Sequence, residues 1–161
     1  MKLNVGDLAP DFTLKSDSFE DITLSSFHGE KNVVLIFFPL VNTGPCEKEL
    51  CAIRDDIEAY KNLNASVFAI SVDSAFALKL WSDQHKFHFP LLSDFNKEVS
   101  ARYGAQYDIF LPGKFDYQGV AKRSAFIIDK DGIIRYTEVL ENGSYEPNYD
   151  AIKETLKNIM L

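Results

Sequence analysis

The sequence predicts an α/β protein in which a central mixed β-sheet is flanked by helices, and two patterns lead to this prediction. Short apolar runs alternate with segments of helical period along most of the 161 residues, and such alternation builds βαβ units. Near the C-terminal end, the apolar runs 124–128 and 133–139 flank the sequence Asp129-Lys130-Asp131-Gly132, which is typical of a hairpin. A hairpin added to βα units gives a sheet with both parallel and antiparallel strands.

The individual elements follow from the same two periods. Residues 11–14 and 21–24 are short candidate strands, and the longer apolar runs 33–40 and 65–72 are typical of strands buried on both faces. Between these two runs, Pro45 suits a first helical position, and it is followed by one apolar stripe of helical spacing, formed by Cys46, Leu50, Ile53, Ile57 and Tyr60.

The second half of the chain continues the alternation. Ser74 is expected to open a helix whose apolar residues include Phe76, Leu80 and Trp81. Residues 89–93 are expected to form a short edge strand, because Pro90 has no N–H to donate to the hydrogen-bond ladder of a central strand. Residues 96–103 are expected to form a short helix that ends at Gly104. Residues 106–122 have no clear period and form a long loop, which makes them a candidate functional segment. Pro147 is expected to start a C-terminal helix.

Length and composition place the chain among ordinary globular domains. We expect one domain over residues 1–161, with 46% hydrophobic and 25% charged residues. The net charge of −7 argues against nucleic acid or an anionic membrane as a partner. No apolar leader or membrane-spanning run is present, and two cysteines do not make a secreted disulfide scaffold. These features favour a reducing cytoplasm.

Cys46 is the main candidate for chemistry because it falls in the first turn of the helix that follows the central strand. Unpaired N–H groups and the positive end of the helix dipole stabilise an anion there, and the thiolate is the nucleophilic form of cysteine. The alternative is that Cys46 is a small buried hydrophobic residue on an apolar stripe. The strand–turn–helix setting with Gly44-Pro45 favours the nucleophile.

Several segments around this cysteine and beyond resemble the peroxiredoxins, the AhpC/TSA family. Pro39, Thr43 and Cys46 stand as P-x-x-x-T-x-x-C, which is similar to the active-site signature of that family. The segments VGDLAPDFTL, FPLLSDFNKEV and RSAFIIDKDGIIRY also resemble it, so the similarity covers nearly the whole chain. The most similar subgroups are the alkyl hydroperoxide reductase E-like proteins and the bacterioferritin-comigratory-protein type. The resemblance implies a thioredoxin-like fold with an N-terminal extension.

The resemblance also implies a site and a reaction. Cys46 would be oxidised by a hydroperoxide to a sulfenic acid, with Thr43 and Arg123 as hydrogen-bond donors to the peroxide and Pro39 closing the pocket. Glu49 matches a polar position that helps to hold the arginine. Without the resemblance, Thr43 would be interpreted as a helix cap and Arg123 as a solvated charge. Asn42 departs from the family pattern, which puts the peroxide preference in doubt.

Cys51 leaves two alternatives open. The spacing C-x-x-x-x-C resembles that of relatives in which a second cysteine resolves the sulfenic acid within the chain, and this is the alternative we favour. Five residues along an intact helix place the Cα atoms roughly 8–9 Å apart, beyond the roughly 7 Å that a disulfide tolerates, so the first turns would have to unwind. The other alternative is a buried Cys51 in a one-cysteine peroxidase that is resolved by an external thiol.

The expected partners are a hydroperoxide substrate and thioredoxin, glutaredoxin or a low-molecular-weight thiol as reductant, and the family suggests a homodimer. A thiol–disulfide oxidoreductase would share the fold, but its C-x-x-C motif is absent. A non-enzymatic module would not need Pro39, Thr43, Cys46 and Arg123 together. We expect no cofactor, because nucleotide-binding motifs are absent, and no metal site, because the few histidines have no further ligands nearby in the sequence.

Overall fold

The structure is a computed structural model in which residues 2–160 are described. One sheet of seven strands, in the order β2-β1-β5-β4-β3-β6-β7, forms its centre. The strands are β1 (Thr13–Ser16), β2 (Asp21–Thr23), β3 (Asn32–Phe37), β4 (Ala65–Ser71), β5 (Leu91–Ser93), β6 (Ser124–Ile128) and β7 (Ile134–Val139). The helices are α1 (Gly44–Asp55), α2 (Ile57–Asn62), α3 (Ala75–His85), α4 (Glu98–Arg102) and α5 (Tyr149–Met160), and a short 3₁₀ helix spans Leu24–Phe27.

The sheet is mixed, as predicted. Strand β4 pairs in parallel with β3 and with β5, and the remaining pairs are antiparallel. The hairpin of β6 and β7 forms around the predicted turn, where Gly132 has a φ of 81°, a left-handed conformation that glycine adopts without strain. The parallel strands β3, β4 and β5 have their carboxyl ends at the same edge of the sheet.

Side chains of β3 alternate between two hydrophobic clusters, one on each face of the sheet. Val34, Ile36 and Phe38 pack in the first cluster together with residues of α1, α2, α3 and α5, and Cys46 belongs to it. Val33, Leu35 and Phe37 pack in the second cluster, with residues from α4 and the N-terminal segment. The helix that carries Cys46 is therefore fixed by one of the two cores.

Residues 89–93 were predicted as an edge strand, and this prediction is wrong. Strand β5 lies inside the sheet between β1 and β4, and all three of its residues are buried. Pro90 precedes the strand, and its carbonyl accepts a hydrogen bond from the Ala69 N–H at 3.2 Å. The missing N–H of Pro90 therefore removes no bond from the ladder of β5.

Other element boundaries differ by a few residues from the prediction. The stripe from Cys46 to Tyr60 is divided between α1 and α2 at Asp56, whose φ of −116° and ψ of 15° interrupt the helix. The C-terminal helix begins at Tyr149, because Asn148 rather than Pro147 caps it by accepting a hydrogen bond from the Ala151 N–H at 3.0 Å. Ser74 caps α3 as predicted, by accepting from the Ala77 N–H at 3.2 Å. Among residues 2–160, no helix combines the length and apolar character that a bilayer crossing requires.

Candidate active site

Cys46 lies in the first turn of α1, directly after the loop that leaves β3. The helix begins at Gly44, so Pro45 occupies its second position and Cys46 its third. Pro45 has no N–H, and the first amides of a helix have no partner within it, so the backbone around Cys46 presents donors at the positive end of the helix dipole. The Cys46 side chain is fully buried.

Arg123 reaches Cys46 from the neighbouring strand. Ser124 pairs with Phe37 at the end of the β3–β6 ladder, and Arg123 therefore stands beside the loop that leads to α1. Its Nη2 donates to Cys46 Sγ at 3.1 Å, its Nη1 to Glu49 Oε1 at 2.6 Å and its Nε to the Gly143 carbonyl at 2.8 Å. Because Arg123 is only 1% exposed, the interpretation of this residue as a solvated charge is wrong.

Glu49 holds Arg123 from the same helix that carries Cys46, three residues further on. Its side chain is fully buried, and its Oε2 has no hydrogen-bond partner among the described residues. Burial raises the pKa of Glu49 to about 8 although the charge of Arg123 opposes that shift, and the carboxylates of Glu146 and Glu138 add to it. For Arg123, burial lowers the pKa, but Glu49 and Cys46 outweigh burial and the net pKa is raised. The guanidinium therefore remains charged.

Thr43 and Pro39 belong to the loop between β3 and α1. Thr43 occupies the N-cap position of α1, but its side chain makes no capping bond. Its hydroxyl donates instead to the Leu40 carbonyl at 3.0 Å. The sequence suggested Thr43 as a donor to peroxide, whereas in this structure its only proton is engaged and the oxygen offers lone pairs. Pro39 is buried at the start of the same loop.

A cleft of about 710 Å³ opens beside these residues. It is lined by Thr43, Pro45, Lys122 and Arg123 and by the segments 106–112 and 141–144. The predicted functional loop thus borders the site, and it contributes Ile109 and Leu111, which are 47% and 38% exposed. A small polar peroxide and an apolar substituent can both be accommodated in a cleft of this composition.

Cys51 lies in the same unbroken helix as Cys46, and both thiols are free. Cys51 is partly buried and packs against the first hydrophobic cluster. Burial raises its pKa, and Arg54 acts in the opposite direction. An intact helix separates the two Cα atoms by roughly 8–9 Å, so the geometry is the one predicted for the reduced protein and a bond between the two sulfurs requires α1 to open.

Sequence reasoning missed two groups at this site. The carbonyl of Gly143 accepts from Arg123, but a backbone acceptor in a loop leaves no residue-type signal. Asp73 accepts from the Val41 N–H at 3.0 Å and so contacts the loop before Thr43. Its position after β4, the parallel neighbour of β3, could have indicated this, because the two strands end at the same edge. Across residues 2–160, no group of three or more His, Cys, Asp or Glu side chains could hold a metal ion.

Comparisons with known sequences and solved structures identify proteins to which this chain is similar. Residues 5–137 match the model of the AhpC/TSA family. Alkyl hydroperoxide reductase E of Mycobacterium bovis is 42% identical over 144 residues, which cover 88% of each chain. The chloroplastic peroxiredoxin Q of Triticum aestivum is 37% identical over 160 residues, 98% of this chain and 67% of the relative. The crystal structure of peroxidoxin BcpB from Mycobacterium tuberculosis superimposes with a TM-score of 0.83 and 29% identity, covering 96% of this chain and 97% of that one.

Proposed function

Since the chain belongs to the AhpC/TSA family of thiol-dependent peroxidases, we propose that Cys46 is the nucleophile with which it reduces hydroperoxides. The observation that carries this proposal is the buried contact of 3.1 Å between Arg123 Nη2 and Cys46 Sγ. A charged donor at this distance stabilises negative charge on the attacking sulfur and on the peroxide oxygens beside it. The positive end of the α1 dipole acts on negative charge at this position in the same direction.

In the proposed reaction, the Cys46 thiolate attacks one oxygen of a hydroperoxide. A sulfur–oxygen bond forms, the oxygen–oxygen bond breaks, and the leaving oxygen takes up a proton to depart as water or an alcohol. Cys46 is oxidised by two electrons to a sulfenic acid, the reversible first stage of cysteine oxidation. The protein's task is to position the peroxide and to stabilise the charge that spreads over its two oxygens.

Each neighbouring group has a role in that task. Arg123 and the first amides of α1 donate hydrogen bonds to the peroxide oxygens, and the Thr43 oxygen accepts a hydrogen bond from the hydroperoxide O–H and so orients the substrate. This assignment follows from the hydroxyl of Thr43 being engaged with the Leu40 carbonyl. Glu49 keeps Arg123 aimed at the sulfur, and the buried Pro39 limits access of solvent to the sulfenic acid.

The sulfenic acid is resolved by Cys51 in our proposal. Attack of the Cys51 thiol on the sulfenic sulfur forms a disulfide and releases water, and a thioredoxin-type dithiol returns the two electrons. The end turns of a helix are its least stable part, and opening the first turns of α1 has to release Glu49 and Leu50, which are both fully buried. Resolution by an external thiol is the second candidate, since both cysteines are free and separated by an intact helix.

Hydrogen peroxide and organic hydroperoxides are both proposed substrates. The cleft beside Arg123 is bordered by Ile109, Phe110 and Leu111, which offer apolar contact to an alkyl group. Hydrogen peroxide itself needs only the polar groups around Cys46. We further propose that the protein is a homodimer of single-domain chains in the cytoplasm, with thioredoxin, glutaredoxin or a small thiol as reductant.

The function is tested by peroxide consumption with thioredoxin or dithiothreitol as reductant, using the parent protein, Cys46→Ser and Cys51→Ser. We expect Cys46→Ser to lose activity completely. Cys51→Ser should retain a single oxidation of Cys46 but lose turnover with thioredoxin. Insulin reduction in a parallel assay identifies an oxidoreductase. A Cys46→Ser protein that still consumes peroxide at the parental rate would contradict the proposal.

A further inference from the structure

The loop between β3 and α1 carries Pro39 and Thr43, and its hydrogen bonds to the rest of the protein are few. Phe38 N donates to the Ile70 carbonyl at 2.9 Å as the last bond of the β3–β4 ladder. Within the loop, the Thr43 hydroxyl bonds to Leu40. Among residues 2–160, the bond from Val41 N to Asp73 Oδ2 is the one hydrogen bond that ties residues 39–43 to a neighbouring strand or loop. Asp73 is thus the hydrogen-bonding anchor of this loop, beside the packing of the Val41 side chain against the first hydrophobic cluster.

Asp73 is itself held from two strands. Its Oδ2 accepts from Ser71 Oγ at 2.7 Å, and its N–H donates to the same Ser71 oxygen at 3.2 Å. Its carbonyl accepts from Ser93 Oγ at 2.6 Å. Ser71 ends β4 and Ser93 ends β5, so the carboxylate that meets Val41 is fixed by the rigid part of the sheet. An acceptor held in this way can position a loop with little freedom of its own.

The conformation of the loop needs such an anchor. Asn42 has a φ of 61°, in the left-handed region, which costs a non-glycine residue free energy and persists when surrounding contacts determine it. Asn42 stands between Val41, which Asp73 holds, and Thr43, which faces the cleft. The turn at Asn42 therefore transmits the position of Val41 to Thr43. Leu40, the acceptor of the Thr43 hydroxyl, is the residue directly before Val41.

We infer that Asp73 is a positioning residue for peroxide reduction, which fixes the β3–α1 loop through Val41 and thereby sets where the Thr43 oxygen lies relative to Cys46. Asp73 does not touch the peroxide. This inference rests on the proposed function, in which Thr43 orients the hydroperoxide and Cys46 attacks it. Displacements of about 1 Å in such a group can cost two orders of magnitude in rate, so the loss of one anchor has a measurable effect.

The test compares Asp73→Ala with the parent protein by two reactions of the same sulfur. Oxidation of Cys46 by hydrogen peroxide requires Thr43 in place, whereas alkylation by iodoacetamide requires only an accessible thiolate. We expect Asp73→Ala to lower the peroxide rate constant on the order of ten- to a hundredfold and to change the alkylation rate by less than about threefold. Asp73→Asn keeps an oxygen acceptor for Val41 and should restore most of the peroxide rate.

A matched control is Asp129→Ala. The Asp129 carboxylate also binds backbone amides of a loop, since its Oδ1 accepts hydrogen bonds from Asp131 N at 2.9 Å and from Ile133 N at 3.0 Å. It lies next to Ile128, which pairs with Val33 at the start of β3, and so at the sheet edge opposite to Cys46. Asp129→Ala should lower the unfolding temperature and leave the peroxide rate of the folded protein unchanged.

A double-mutant cycle with Thr43→Val decides whether Asp73 acts through Thr43. If it does, Asp73→Ala costs little more once Thr43 has lost its hydroxyl. Should Asp73→Ala not fold, Ser71→Ala removes the bond that orients the carboxylate and should give a smaller loss with the same selectivity for peroxide over iodoacetamide.

Three results would overturn the inference. The first is an Asp73→Ala protein that reacts with peroxide at the parental rate. If Asp73→Ala does not fold, the same result in Ser71→Ala counts instead. The second is an equal loss in both reactions of the sulfur. The third is a full additional loss in the Thr43→Val background. Failure of the proposed function is distinct from all three, because in that case Cys46 of the parent protein itself does not react rapidly with peroxide.

Discussion

At the scale of single residues, Cys46, Arg123 and Glu49 form one buried electrostatic unit. A thiolate and a carboxylate cannot both be compensated fully by one guanidinium in a site from which water is excluded. Burial raises the pKa of Glu49 to about 8, so this carboxyl gives up its negative charge more readily than an exposed glutamate does. Arg123 is shared between the two groups, since its Nη1 donates to Glu49 at 2.6 Å and its Nη2 contacts the sulfur at 3.1 Å.

The first prediction concerns Arg123. Replacement by alanine removes the charged donor to Cys46, and the loss of an oxyanion-type donor costs about 2.7–4 kcal/mol. We expect Arg123→Ala to lower the rate constant for hydrogen peroxide on the order of a hundredfold or more, measured by stopped-flow oxidation of Cys46. Arg102→Ala is the control, since Arg102 is exposed and donates to the Asp11 carbonyl at 2.8 Å. An Arg123→Ala protein within about threefold of the parent would contradict the assigned role.

The second prediction concerns the pH dependence that Glu49 gives to stability. Its pKa is 4.5 as a free side chain and about 8 in the folded protein, so the native state binds a proton more tightly than the unfolded state. The stabilisation from this group is complete below pH 4.5 and is lost as the pH rises through about 8. The unfolding free energy of the parent minus that of Glu49→Gln should therefore fall between pH 5 and pH 9.

Urea unfolding of both proteins at several pH values measures this difference, and titrations elsewhere in the chain cancel in the subtraction. A difference that stays constant or grows with pH would show that Glu49 is ionised in the native protein. It would also show that Glu49 and Cys46 compete for the charge of Arg123.

Sequence reasoning reached most of these residues and missed others for physical reasons. Pro39, Thr43 and Cys46 stand in a motif, and Arg123 and Glu49 follow from the resemblance to a family. Contacts such as Val41 N to Asp73 depend on where two loops end in space, which no local pattern records. The burial of Glu49 was also not apparent, because a glutamate between Lys48 and Leu50 is usually at the surface.

At the scale of elements, α1 has to adopt two conformations if Cys51 is the resolving residue, one in the reduced protein and one in the disulfide form. In the reduced state it is continuous from Gly44 to Asp55 with both thiols free. Disulfide formation requires its first turns to open, since roughly 8–9 Å between Cα atoms exceeds what a disulfide tolerates. Reduced α1 is also tied to the end of α3, because Glu47 Oε1 lies 2.9 Å from His85 Nε2 and Arg54 Nη1 donates to the His85 carbonyl at 2.7 Å.

The third prediction is the outcome of oxidation by one equivalent of hydrogen peroxide. We expect mass spectrometry to find the loss of two hydrogens with both thiols blocked to alkylation, as an intramolecular Cys46–Cys51 disulfide requires. The helical signal in circular dichroism should fall at the same time, because α1 opens. A persistent sulfenic acid at Cys46 with an alkylatable Cys51 would instead establish the one-cysteine mechanism with an external thiol.

The fourth prediction concerns the contact between α1 and α3. His85→Ala removes the partner of Glu47 together with the stacking of the imidazole on Phe87. It should make the opening of α1 easier, so the disulfide should form faster by roughly two- to fivefold, equivalent to about 0.5–1 kcal/mol for a partly exposed pair. His88→Ala is the matched control, because His88 is exposed and lies outside α3. The rate is measured by quenching with an alkylating reagent after peroxide addition. Equal rates for the two variants would mean that this contact does not limit the opening of α1.

At the scale of the whole molecule, the sheet divides the protein into two cores, and only one of them supports the site. In the sequence, β3 appears as a continuous apolar run. This run correctly indicated that the strand is buried on both faces. Which residues face Cys46 could not be derived, because a continuous apolar run has no polar face to orient it. The position of β5 inside the sheet was likewise hidden, since strand order is set by tertiary pairing rather than by local sequence.

The last prediction separates stability from activity by a pair of neighbouring substitutions. Ile36 packs in the cluster that contains Cys46, and Leu35 packs in the cluster on the opposite face. Both side chains are at most 1% exposed, so Ile36→Ala and Leu35→Ala should each lower the unfolding free energy by about 2–5 kcal/mol. Only Ile36 shares its cluster with Cys46 and with Leu50 and Ile53 of α1, so loss of packing there can let the helix and Cys46 shift relative to Arg123. We therefore expect the peroxide rate of the folded protein to fall on the order of tenfold in Ile36→Ala and to stay near the parental value in Leu35→Ala. Equal rates in the two variants, at matched fractions of folded protein, would show that the packing beneath α1 does not control the position of the nucleophile.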